Sequence, residues 1–203
     1  MSLLGIFVLG EVARAEGPEA SAPLQFGRVY AENKAAVIRV KARPDGPWAT
    51  GVLVGAGGEV VFSAPRGPAG VPAGLSSEGQ DLAGELLGYD RSLALGVARF
   101  PSLAGAVRPV QVAGASGLTK DRWVVTIRYN AKGLLEPFAG VVEAAGRGQG
   151  PAKIMVPGQP GSPILSKDGE LLGLVQDVGE RSTRALPLER FVPFLKAVVL
   201  GAH

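Results

Sequence analysis

Short apolar runs cut apart by glycine and proline constrain this chain more than any other feature. With 30 glycines and 16 prolines in 203 residues, a long helix has few places to form. Proline removes a helix N–H, and glycine carries the largest backbone entropy cost. The runs between the breaks are rich in Val, Leu and Ile: AVIRVKA at 36–42, ATGVLVGA at 49–56, EVVFSA at 59–64, AGELLGYD at 83–90 and LALGVARF at 93–100. A second set follows: RWVVTIRYN at 122–130, FAGVVEAAG at 138–146, AKIMV at 152–156, SPILSK at 162–167 and ELLGLVQD at 170–177. Runs of this length bounded by turn residues read as strands. Gly57 and Gly58 between two of them mark a hairpin. In 36–42, Arg39 and Lys41 alternate with Ile38 and Val40, which predicts a half-buried strand with a solvated basic face.

Two segments read as helices. Residues 24–35 carry Phe26, Val29 and Tyr30 at short-helix spacing, and in 187–200 Phe191, Phe194, Leu195 and Val198 share one helical face behind Pro187. The Gly-, Ser-, Ala- and Pro-rich stretch 101–120, around a short strand PVQVA, is the natural connector between two halves. The expected fold is therefore all-β: two six-stranded antiparallel β-barrels, one over 25–113 and one over 114–200. A short helix precedes the first barrel and a C-terminal helix packs on the second. At the N-terminus an apolar run at 3–10 leads to Ala13-Arg14-Ala15, the order of a secretory signal cleaved after Ala15, with 16–24 a flexible leader. The run is too short to span a bilayer. A periplasmic or secreted protein with no stable membrane span after signal removal is expected. The alternatives are a buried or amphipathic N-terminal segment and a cytoplasmic protein.

Several function classes are excluded early. There is no cysteine, so disulfides and thiolate chemistry are out, and the single histidine is the terminal His203. A formal charge of +3 with both signs scattered is no nucleic-acid footprint. Asp81, Glu85 and Asp90 alternate with apolar residues and have no histidine beside them, so no metal and no cofactor are expected. The glycines of GAGG at 55–58 lack the helix and lysine of a phosphate loop. Trp48 and Trp123 are expected to pack in the barrels.

Read in order, five segments resemble the trypsin-like serine proteases, specifically the Deg/HtrA type. They are TGVLVGAGGEVVFSAPRG at 50–67, GYDRSLALGVARF at 88–100, FAGVVEAAGR at 138–147, GQPGSPILSKDGELLGL at 158–174 and ALPLERFVPFL at 185–195. Ordered motifs carry more weight than any one of them. The resemblance covers roughly residues 25–200 and implies the two-barrel fold and the Ser-His-Asp triad of a serine protease.

The same resemblance puts the general-base histidine on Pro65, the orienting aspartate on Ala94 and the nucleophilic serine on Pro160, with Gly158 at the oxyanion loop. Proline and alanine supply no hydroxyl, imidazole or carboxylate, and Pro160 has no N–H for an oxyanion hole. Ser63 and Asp90 rebuild no triad. Ser162, two positions beyond Pro160, is a turn residue hydrogen-bonded to backbone or, paired with Lys167, an alternative nucleophile. The expected function is that of an inactive protease homologue that holds an extended peptide or protein partner without cutting it. The contacts would come from Val156, Gly158, Gln159 and Ser162 on the second barrel. An endopeptidase with a non-standard site and a purely structural partner of a genuine protease remain as alternatives.

Overall fold

The computed structural model describes residues 22–114, 117–146, 151–179 and 183–200; the segment read as signal and most of the leader lie outside them, as does His203. The first half builds seven strands: β1 Val37–Lys41, β2 Ala49–Leu53, β3 Glu59–Ser63, β4 Ala73–Leu75, β5 Asp81–Ala83, β6 Glu85–Asp90 and β7 Leu95–Arg99. They form one antiparallel sheet in the order β5-β4-β1-β2-β3-β7-β6. The first half is thus a half-barrel, with β5 and β6 ending the sheet instead of pairing with each other. The Phe100 ring lies against Gly74 of β4 and against Gly84, where a Cβ would collide with it. Side-chain packing, not a ladder, thus ties the end of β7 to the β4–β5 hairpin.

The second half closes fully, as expected. β8 Trp123–Tyr129, β9 Leu135–Ala144, β10 Ala152–Met155, β11 Pro163–Leu165, β12 Leu171–Val178 and β13 Thr183–Pro187 make a barrel ordered β10-β13-β12-β11-β8-β9. Val124, Val142, Ile154, Ile164, Leu172 and Val175 fill its interior cluster. Their neighbours Val125, Ile127, Leu165 and Leu174 join the other cluster, with Ile38, Val40, Phe62 and Val97 of the first sheet. Strands 8 and 12 are therefore buried on both faces, and their sequences are continuous apolar runs for that reason.

The connector holds no strand at 109–113, only a bridge from Val112 to Leu171. It is tied to both halves: Val110 N–H donates to Leu53 C=O at 2.9 Å and Leu171 N–H to Gln111 C=O at 2.8 Å. Helix α1, Ala22–Asn33, starts inside the segment read as leader. It buries Val29 and sends the Tyr30 hydroxyl to the Leu135 carbonyl at 3.3 Å. Helix α2, Leu188–Leu200, buries Phe191 and Leu195. It also packs on the first sheet, since a Cβ on Gly88 of β6 would meet the Val198 side chain at 2.7 Å. No helix among the described residues is long and apolar enough to cross a membrane.

Candidate functional site: a proline-turn cleft between the sheets

Pro65 and Pro160, far apart in sequence, line one cleft of about 380 Å³ between the two halves. Each proline sits at the first corner of a β-turn, the position its fixed φ suits best. In the first turn Gly67 N–H donates to Ala64 C=O at 2.9 Å. In the second, Ser162 N–H donates to Gln159 C=O at 2.9 Å, and Gly161 has φ +89°. Proline followed by a positive-φ glycine makes this a type II turn. The turn is seated on the opposite sheet: Thr50 Oγ1 donates to Gln159 Oε1 at 3.0 Å, and a Cβ on Gly161 would run into the Thr50 carbonyl.

Ala94 belongs to the same junction from behind. Its carbonyl accepts the Ala64 N–H at 2.8 Å, one residue before Pro65. Its own φ is +53°, a left-handed conformation that alanine adopts at a cost. Asp90 organises that turn by accepting the Ser92 hydroxyl at 2.7 Å and the N–H groups of Ser92 and Leu93. The Ser92 hydroxyl, and after it the Leu93 and Ser92 N–H groups, hold the Asp90 carboxyl below its ordinary range. Pro65, Ala94 and Pro160 are thus gathered at one junction, and each shapes a turn.

The loop 156–158 presents its carbonyls inward. Thr183 Oγ1 donates to Val156 C=O at 2.7 Å, Thr126 Oγ1 to Pro157 C=O at 3.1 Å, and Arg128 Nη1 reaches Gly158 C=O at 3.5 Å. Gly158 packs against Val175 and Thr183, which leave no room for a side chain. Ser162 is wholly buried; its N–H makes the backbone bond of the turn, and its hydroxyl has no partner among the described residues. Lys167, its suggested base, stands in solvent on the β11–β12 turn, 3.8 Å from Asp168. Of the expected contact residues, only Gln159 lines the cleft; Val156 and Ser162 are buried and take no part in its lining, nor does Gly158.

A pairing edge begins at the same turn. Gly161 N–H donates to Val175 C=O and Val175 N–H to Ser162 C=O, at 2.8 and 2.9 Å. Beyond Val175, β12 continues through Gln176, Asp177 and Val178, paired on one side only among the described residues, with Asp177 opposite Arg184 and Val178 opposite Thr183 of β13. The register shifts at Gln176, a bulge at the barrel rim.

Sequence reasoning missed two contributors to the cleft. Trp48, expected in a barrel core, is a cleft wall instead, with the Arg39 guanidinium 4.8 Å and the Lys41 ammonium 6.0 Å from its ring centre. Arg66 is exposed at the cleft rim beside Pro65. Trp123 is not core either: it is 57% exposed on the outer face of β8. Among the described residues no three carboxylates or histidines are grouped to hold a metal. Comparison with known proteins adds no assignment: no family model matches the chain, and no curated protein matches it.

Proposed function

We propose that this chain is a peptide-binding module built on the trypsin-like two-barrel plan of the Deg/HtrA type, with its triad positions held by Pro65, Ala94 and Pro160 and no peptide bond cut. The observation that carries the reading is the one-sided edge of β12 at Gln176–Val178, which meets the cleft at the Pro160–Gly161 turn. This edge lies beside the cleft, and an exposed strand edge recruits an extended peptide by main-chain hydrogen bonds. Those bonds do not depend on a nucleophile. The prolines fix both turns before any ligand arrives, which lowers the ordering cost of binding. The acceptors of Val156, Pro157 and Gly158 are engaged within the barrel, so the peptide pairs along β12 and contacts the 156–162 loop chiefly through Gln159. Export, with loss of residues 1–15, belongs to the same reading.

A hydrolase using Ser162 is disfavoured by the full burial of that hydroxyl and by the solvent position of Lys167. Two measurements test the proposal. A fluorophosphonate probe is expected to leave the protein unlabelled; labelling lost in Ser162→Ala would reverse the reading. A displayed decapeptide library panned on the full chain is expected to yield binders that shift the backbone resonances of Gln159 and Gln176–Val178. Shifts confined to α2 or to β4 and β5, or no binder at all, would sink it.

A further inference from the structure

The charges of the cleft point to the class of peptide that it takes. Three charged side chains line it: Arg43, Asp45 and Arg66. Arg43 Nε lies 3.5 Å from Asp45 Oδ1, with the aspartate side chain 78% exposed, so one contact on a solvated pair occupies one donor of a five-donor group. Arg66 makes no ion pair among the described residues. The cleft therefore carries one more positive than negative charge, with guanidinium donors still open on Arg43 and Arg66.

The aromatic wall works in the same direction. An aromatic face ordinarily draws cations. Here Arg39 and Lys41 already sit on the Trp48 ring, so a cationic ligand side chain would meet two like charges there. The rest of the lining near Arg66 is Pro47, Pro65, Pro160 and small residues, which suits an apolar or proline neighbour without adding an acceptor. Asp177, on the pairing edge, is balanced by Arg184 at 3.8 Å and leaves the positive end of the site at the cleft.

We infer that the site selects extended peptides bearing a carboxylate side chain in the stretch that leaves the β12 edge and crosses the cleft, where Arg66, with Arg43 also in the lining, binds it. This rests on the peptide-binding reading above and adds a charge requirement to it. Guanidinium–carboxylate pairing is favoured by the fork geometry of arginine. Because Arg66 is exposed, the pairing weakens as salt rises.

The test pans one displayed decapeptide library on the wild type and on Arg66→Glu, an exposed position where folding is checked by circular dichroism. Wild-type binders are expected to be enriched in Asp and Glu about threefold or more over the starting library at one or two adjacent positions, the range open to a partly solvated ion pair. On Arg66→Glu the enrichment passes to Lys and Arg. Binders with no charge preference, or the same acidic preference on both proteins, overturn the charge requirement and leave peptide binding standing. No enrichment of any peptide on the wild type brings both down. A misfolded Arg66→Glu is replaced by Arg66→Gln, for which the acidic enrichment is expected to vanish, and its persistence overturns the inference.

Discussion

Gly161 packs against the backbone of the opposite half. Its φ of +89° lies where side chains are strained, and a Cβ would strike the Thr50 carbonyl and come within 3.1 Å of Ser63 N. Gly161→Ala should therefore lose about 2–4 kcal/mol, combining left-handed strain with the displacement of a packed backbone. Ala94 presents the opposite case, since its φ of +53° is strained as it stands. Ala94→Gly relieves that strain and adds some unfolded-state entropy, for a net gain of about 0.5–1 kcal/mol. Urea unfolding of both variants checks the two signs together. A neutral Gly161→Ala would mean that the turn does not press on Thr50. From sequence, Pro160 and Gly161 were legible as a turn because proline and glycine carry their dihedral preferences with them. The Thr50–Gln159 bond was not, since the partners lie 109 residues apart and neither residue type announces the other.

At the level of elements, one turn design recurs three times. In Ser76–Gln80, Asn130–Leu134 and Ser166–Glu170 the first side chain accepts the N–H groups two and four residues on. In each, a glycine at the fourth place has positive φ and returns its N–H to the first carbonyl. Ser166 is fully buried and its two bonds are part-buried where those of Ser76 are exposed, so water replaces a removed hydroxyl less readily there. Ser166→Ala is expected to cost about 1–3 kcal/mol, and Ser76→Ala, at an exposed turn, well under that. Equal losses in thermal unfolding would show that the buried hydroxyl has no special role. The Ser76 turn, SSEGQ, has the same pattern as SKDGE at 166–170, yet the strands it joins escaped the sequence reading. β4 and β5 have three residues each, too few for a period of two to show. β13 escaped because TRALP, at 183–187, resembles a closing loop. The exposed Trp123 escaped for another reason. It opens β8 at its first residue, where a strand is no longer enclosed, while the continuous run behind it reads as core on every side.

At the scale of the whole molecule, the two-lobed plan was legible from ordered motifs, but the union of the lobes was not. One hydrophobic cluster runs from Ile38, Phe62 and Val97 through Ile127, Leu165 and Leu174 to Phe191 of α2, so neither half completes its core alone. Strands buried on both faces lose the alternation that would tell which face meets which neighbour. Polar links cross the same junction: the Tyr129 hydroxyl donates to the Val37 carbonyl at 3.0 Å, and burial raises its pKa well above that of a free phenol, so it keeps this proton. A shared core predicts unfolding as one cooperative unit rather than as two domains in succession. The two tryptophans allow a direct check, one in each half. In Trp123→Phe the remaining Trp48 reports on the first sheet, and in Trp48→Phe the remaining Trp123 reports on the second barrel. In each variant the fluorescence transition in urea is expected to coincide with that of far-ultraviolet circular dichroism, which reports on both halves. A fluorescence midpoint separated from the circular-dichroism midpoint within either protein would show that the halves unfold independently, and that the cleft between them is a hinge instead of a fixed wall.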